Sequence, residues 1–168
     1  MASTLDLFRI LERSSHSEAH LVLAVDLREV SIQDIEAIAA CTALQVALLT
    51  QNLLSSISPS IFACRMLRKL DISRNGITSL PTLEQWSVLG VLQILYLHDN
   101  HLAALQSVGN LASCQSLLRL TLFGNPCSRH PSYRHYCVNT LLTLRALDLN
   151  VVSDEEVSWK PRALPPDA

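Results

Sequence analysis

The sequence predicts an α/β solenoid: a right-handed superhelix of stacked turns, with short parallel strands on a concave face and helical turns on the convex face. Three observations carry that expectation. Leucine supplies 32 of the 168 residues while aromatic residues make up 5%, and one side chain used this heavily points to one local environment copied several times. Hydrophobic residues reach 49% and charged ones only 17%, which excludes disorder across the body of the chain. The third is a phrase that recurs at a fixed period.

The phrase is L-x-x-L-x-L-x-x-N-x-L. Leu67 to Ile77 and Leu92 to Leu102 both match it, Leu117 to Asn125 gives a third copy, and Leu44 to Leu54 a fourth with Ala47 in one leucine position. The asparagines Asn52, Asn75, Asn100 and Asn125 stand at steps of 23, 25 and 25, inside the leucine-rich-repeat window of about 20–29 residues. The L-x-L triplet reads as a short strand whose alternate side chains point inward, and stacked triplets pair in parallel. A buried asparagine after each strand can satisfy backbone groups that the turn leaves unpaired, which an apolar residue cannot do.

The remaining elements follow in chain order. Leu5, Leu7, Phe8, Ile10 and Leu11 make an amphipathic helix within residues 1–20, with Leu7, Leu11 and Ile10 on one face. It is expected to cover the open edge of the first repeat. Val22 to Ile32 is a weak first unit, with Val30 where asparagine belongs, followed by a helical turn at Ile35–Ala39 capped from Ser31. Ser79–Trp86 and Ser107–Cys114 read as further convex turns. After Asn125, a helix from Tyr136 to Leu142 leads into a last degenerate strand, Leu144-x-x-Leu147-x-Leu149, and Ser153-Asp-Glu-Glu156 is a capping box for a final short helix. The expected organisation is an N-terminal capping helix (1–20), about five leucine-rich repeats (21–125), a C-terminal cap (126–158) and a disordered Pro-rich tail (159–168).

The chemistry the sequence lacks is equally informative. Thirteen Lys+Arg against fifteen Asp+Glu give a net charge of -2, with no pull toward nucleic acid or an anionic membrane. No apolar run approaches the roughly 18–20 residues of a membrane span, and the start has no basic segment followed by an apolar one, so secretion is not expected. Five cysteines, odd in number and scattered, fit reduced buried thiols. Cys127-x2-His130-x4-His135-x-Cys137 has zinc-like residue types, but His135 and Cys137 lie two apart on a helix and diverge. No phosphate-binding loop, nucleophile elbow or metalloprotease motif occurs. The expectation is therefore no enzyme, no metal, no cofactor and no small-molecule substrate.

The phrase Asn125-Pro126…Tyr133-Arg134…Leu147-Asp148, placed directly after the last asparagine repeat, resembles the cap of intracellular leucine-rich-repeat proteins. That group includes the phosphatase-1 regulatory subunit type, the spliceosomal A-prime protein and axonemal dynein light chain. Leu95-Tyr-Leu-His-Asp-Asn100, Tyr133-Arg-His-Tyr136 and Val152-Ser-Asp-Glu-Glu156 resemble the leucine-rich-repeat and IQ-motif proteins and their short ciliary relatives. The likeness covers roughly residues 20–158. It implies a non-catalytic scaffold in the cytoplasm, and from the ciliary relatives a place in the axoneme of a cilium or flagellum. It gives Tyr133, Arg134 and Asp148 a structural role beside the asparagines. Calmodulin binding does not carry over, because Ile32-Gln33 is not followed by the spaced arginines of an IQ motif.

Solenoids usually hold their ligands on the concave face. The strand positions that face it include Leu48, Ile94, Tyr96 and Phe123 as an apolar stripe, with Lys69, Arg74 and Arg119 placed to recruit acidic groups, and Asp71 and His98 alongside. Aromatic and arginine side chains are the usual anchors of an interface. The expected partner is a segment or helix of another protein. A phosphatase-1 regulatory-type subunit and a ribonucleoprotein assembly factor are the alternatives.

Overall fold

The strands are short because only three residues of each repeat alternate between inside and outside. The computed structural model describes residues 3–158. In chain order it contains β1 (Ser3–Thr4), α1 (Leu7–Ser14), β2 (Ala24–Asp26), β3 (Ile32–Asp34), β4 (Val46–Leu48) and β5 (Lys69–Asp71). Then come α2 (Leu83–Ser87), β6 (Ile94–Tyr96), β7 (Arg119–Thr121), α3 (Tyr133–Thr140), β8 (Ala146–Leu147), β9 (Asn150–Val151) and α4 (Asp154–Ser158). Strands β2, β4, β5, β6, β7 and β8 stack in that order as a parallel ladder, and β9 closes it antiparallel to β8. The central residues Val25, Ala47, Leu70, Leu95, Leu120 and Leu147 are in register and buried.

Most convex returns are 3-10 turns, at Glu36–Ala40, Pro59–Ala63 and Leu105–Ser113. The third return forms a short α-helix, α2, where Thr82 and Gln85 complete a capping box, and the last one holds α3. Ser31 does not cap the first return. It lies in the left-handed region (φ 57°), and the turn starts after Ile35 with no side-chain cap.

The cysteines are less scattered than the sequence suggested. Cys41, Cys64 and Cys114 each end a convex 3-10 turn and donate their amides to Ile38, Ile61 and Leu111. Leu89 and Leu141 occupy the same place in the other turns. The signal was legible as Cys-x-x-Leu at the head of three repeats. All five thiols are free and buried, and burial pushes Cys64 and Cys114 up to about 12.

The two ends depart most from expectation. In α1, Ile10 is buried and Leu11 packs against the core, but Leu7 lies exposed beside Phe8. Leu5 is buried in its place, and β1 pairs with β3, so a strand as well as a helix covers the first rung. At the other end α3 begins at Tyr133 rather than Tyr136. Leu149, expected inward, is exposed, because Asp148 and Leu149 both take positive φ (51° and 68°) and turn the chain back into β9. Two consecutive left-handed residues are what a tight hairpin needs. The expected Pro-rich tail, 159–168, lies outside the described residues.

Candidate functional site

Two constructions meet at the concave face: a buried polar skeleton that fixes the rungs, and the side chains those rungs display. The skeleton is the asparagine ladder. Asn100 Nδ2 donates to its own strand's Leu97 carbonyl (2.9 Å) and to the previous rung's Ile72 carbonyl (3.1 Å), while its Oδ1 accepts the Ile77 amide (3.0 Å). Asn75 and Asn125 repeat the arrangement on Leu49, Ile72 and Leu54, and on Leu97, Leu122 and Leu102. Asn52 accepts both Val30 and Ile32 amides. All four asparagines are buried. Every one of them binds the turn before it, so each rung is bolted to its predecessor.

A second regularity was not read from the sequence. The residue preceding each asparagine is left-handed: Gln51, Arg74, Asp99 and Gly124, with Glu29 in the same place before Val30. The ladder survives the turn, since Gln51, Arg74 and Asp99 donate to the carbonyls of Ser73, His98 and Phe123. At Gly124 a Cβ would meet the Asp99 carboxylate and stand 3.0 Å from the Asp99 backbone nitrogen, so this left-handed position favours glycine most. The other positions tolerate the conformation, so composition hides it.

The displayed side chains form two aligned columns. The first runs Ala24, Val46, Lys69, Ile94, Arg119, Ala146; the second runs Asp26, Leu48, Asp71, Tyr96, Thr121. The expected apolar stripe is therefore broken, because the Lys69–Asp71 rung separates Leu48 from Ile94 and Tyr96. Ser73 and Thr121, which sit at concave-facing positions, are buried, since Ser73 donates to Asp71 (2.6 Å) and Thr121 meets His98 Nδ1 (2.8 Å).

What the coil does bring together is one aromatic cluster. His98 stacks on Phe123 with ring centroids 4.5 Å apart and meets Tyr96 edge-on at 6.2 Å. Lys69 Nζ stands 5.3 Å over the Tyr96 ring, a cation–π contact. Arg74 pairs loosely with Asp99 (3.6 Å), whereas Arg119 is exposed and in no ion pair among the described residues. Beside Tyr96 and Arg119, the β9 hairpin raises Leu149 and Val151, and together with Thr121 and Ala146 these enclose a pocket of about 270 Å³. Leu149 and Val151 were not singled out from the sequence. The repeat register assigned Leu149 inward, and no Asn-Gly or Gly-Gly pair announces the hairpin.

The cap residues are joined as one network. Tyr133 Oη donates to Asp148 Oδ2 (2.7 Å), and Asp148 Oδ1 accepts the Leu122 and Phe123 amides (2.6 and 3.0 Å). Burial, reinforced by the nearby Cys137 and Asp148, pushes the Tyr133 phenol well above its ordinary value. Arg134 holds Glu156 through two guanidinium nitrogens, Nε and Nη2 (2.5 and 3.0 Å), and Nη2 also donates to the Val151 carbonyl. Glu156 accepts the Ser153 amide (3.0 Å) in a capping box. Around it, His130 Nδ1 accepts the Ser132 amide and His135 faces Asn139. Among the described residues no three His, Cys, Asp or Glu side chains gather to hold a metal.

The geometry agrees with comparison to known proteins. The chain is 40% identical over 131 residues to the mouse leucine-rich repeat and IQ domain-containing protein 3, covering 77% of this chain but 20% of that protein. The human counterpart is likewise 40% identical, covering 75% of this chain and 20% of that protein. The chain thus spans about a fifth of the length of these relatives. Human leucine-rich repeat-containing protein 51 is 34% identical over 102 residues, 58% of this chain and 52% of that protein. Among solved structures, a chain of the Drosophila melanogaster SNF/U2A' complex superposes with a TM-score of 0.69 at 26% identity, covering 79% of this chain and 76% of that one. An internalin from Listeria monocytogenes reaches 0.61 at 23% identity, covering 75% and 50%, a likeness of fold alone. The leucine-rich repeat family pattern matches residues 10–160, and this chain belongs to the leucine-rich repeat family.

Proposed function

We propose that this chain is a non-catalytic adaptor that holds a segment or helix of another protein across its concave sheet, working in the cytoplasm with the axoneme of a cilium or flagellum as its setting. The observation that carries the reading is the Tyr96–His98–Phe123 cluster flanked by Lys69 and Arg119. Rings held by stacking, Phe123 exposed and Tyr96 and His98 half-buried, next to cations have the composition of interface anchors. The similar Drosophila chain comes from a two-protein complex, which supports protein binding. The ciliary setting rests on the resemblance of short phrases to ciliary relatives.

The test is quantitative affinity purification of the tagged chain from ciliated cells, run beside a Tyr96→Asp/Phe123→Asp variant. The main partner is expected to vanish from the variant while the unfolding midpoint stays put. Undiminished capture would reject the concave cluster. Imaging of the same tagged chain tests the setting: axonemal enrichment supports it, and a nuclear signal turns the reading toward ribonucleoprotein assembly, which the U2A' likeness favours. Co-purifying phosphatase activity would favour a phosphatase-regulatory subunit instead.

A further inference from the structure

The edge of the solenoid where the strands begin carries a charge pattern of which the concave cluster uses only Lys69 and Arg119. Each repeat returns to the sheet through five residues: 42–46, 65–69, 90–94, 115–119 and 142–146. None of these segments holds an Asp or Glu, and together they carry Arg65, Arg68, Lys69, Arg119 and Arg145. None of the five cations forms an ion pair among the described residues, in contrast to Arg28, Arg74 and Arg134, each of which has a carboxylate. The carboxylates lie across the sheet at the strand ends, at Asp26, Asp71, Asp99 and Asp148. The concave face is therefore uneven in charge: cations stand unpaired where the strands start, whereas at the strand ends Arg28 and Arg74 offset Asp26 and Asp99.

Backbone hydrogen bonds make this edge a continuous row. The Leu23 carbonyl accepts the Gln45 amide, Gln45 accepts Arg68, Arg68 accepts Gln93, Gln93 accepts Leu118, and Leu118 accepts Arg145. At about 4.8 Å per rung the row runs about 24 Å, the length of a short helix or extended segment. Large apolar side chains stand exposed along it: Leu23 (50%), Met66 (46%), Leu118 (39%) and Leu142 (69%). Arginines and one methionine among exposed leucines, with carboxylates excluded, match the composition of an interface rather than of solvated surface.

We propose that this strand-start rim docks an acidic protein segment in which carboxylates alternate with large apolar side chains. The unpaired arginines supply the charge complement, which the strand-end rim lacks because Arg28 and Arg74 are paired there with Asp26 and Asp99. The inference extends the reading of the concave face without depending on it.

The test is selection of short random peptides displayed on phage against the immobilised full chain, followed by binding titrations at low and high salt. Enriched peptides are expected to be rich in Asp or Glu with Leu or Phe, and to weaken with salt. Arg68→Glu/Arg145→Glu should reduce their affinity about tenfold or more, and Arg68→Gln/Arg145→Gln by less. Both residues are exposed, so the circular-dichroism spectrum and unfolding midpoint should match the parent. Neutral or basic peptides, no enrichment, or equal binding to the charge-reversed variant overturns the rim. Tighter binding of phosphatidylserine vesicles or single-stranded poly(U) RNA than of the selected peptides overturns it too. A peptide lost only with Tyr96→Asp/Phe123→Asp rejects the rim and spares the concave cluster. Loss only with the rim variants supports the rim and counts against the cluster.

Discussion

The two ends of this coil are closed by opposite means. At the N-terminal end the seal is apolar: Leu5 and Ile10 are buried, Val30 stands where the later rungs have asparagine, and β1 adds backbone pairing to β3. At the C-terminal end buried Cys137, Val138 and Val152 are joined by a polar network of Tyr133, Asp148, Arg134 and Glu156. The difference follows from the direction of the ladder. Each asparagine reaches back to the preceding turn, so Asn52 already serves the first turn through the Val30 and Ile32 amides. Val30 has no earlier turn to serve, and an apolar residue suffices there. At the last rung the demand is reversed. The Ile72 and Leu97 amides donate forward to the carbonyls of Tyr96 and Thr121, but the strand after Leu122 turns away at Asp148. The Asp148 carboxylate takes the orphaned amides instead, and a buried donor left unmet would cost about 1–3 kcal/mol.

Substitutions can break this contrast. Asn100→Leu should have the largest effect, because it strands the buried Ile77 amide and takes one of two asparagine donors from each of the Ile72 and Leu97 carbonyls, which keep Asn75 and Asn125. A loss of about 4 kcal/mol is expected from urea unfolding, and a loss below about 1 kcal/mol would show that asparagine does not bolt the rungs. Next is Ile10→Ala, at about 3 kcal/mol for a fully buried side chain. Hydrogen exchange should localise that damage to the first rung, as expected where each repeat touches only its neighbours. Asp148→Ala should cost about 2 kcal/mol and open the opposite end, around Leu122 and Phe123. If both variants loosened both ends equally, the closures would not be independent.

The same directional logic decides what could be read from the sequence. The rungs were legible because Leu and Asn recur at a period that one rule explains, and the cap residues because Tyr133, Arg134 and Asp148 follow the last asparagine in a recognisable phrase. The left-handed residue before each asparagine was not legible, since Gln51, Arg74 and Asp99 share no chemistry. Its signature is a position in the turn, and only Gly124 shows it by composition. Leu149 misled for the opposite reason. It fits the apolar register, yet the Asp148 carboxylate, held by Tyr133 and two amides, fixes a turn that overrides local pattern. For the site, the sequence supplied the residues but not their adjacency. Tyr96, His98 and Phe123 cluster across two strands, while Leu48, an equally plausible member, is set apart by the Asp71 rung.

The smallest expected effect separates the two closures by pH alone. The Arg134 guanidinium, with help from the Ser153 amide, lowers the Glu156 carboxyl from 4.5 to about 2. A folded-state value below the unfolded one means that the contribution is complete above about pH 4.5 and is lost as pH falls toward about 2. The pair is about one-third exposed, at 36% and 34%, so screening by solvent keeps that contribution modest. Amide exchange followed from pH 5 to 2 should therefore show α3, β9 and α4 loosening over that window more steeply than the N-terminal rung, where Leu5 and Ile10 carry no charge and the Asp26 carboxyl, also lowered by Arg28, joins residues only two apart. Glu156→Gln keeps the shape of the cap and removes the titration, so its exchange at pH 5 should already resemble that of the parent at low pH, with a flatter profile below. An unchanged profile in the variant would mean that the Arg134–Glu156 pair is a surface contact and that Asp148 and Tyr133 close this end by themselves.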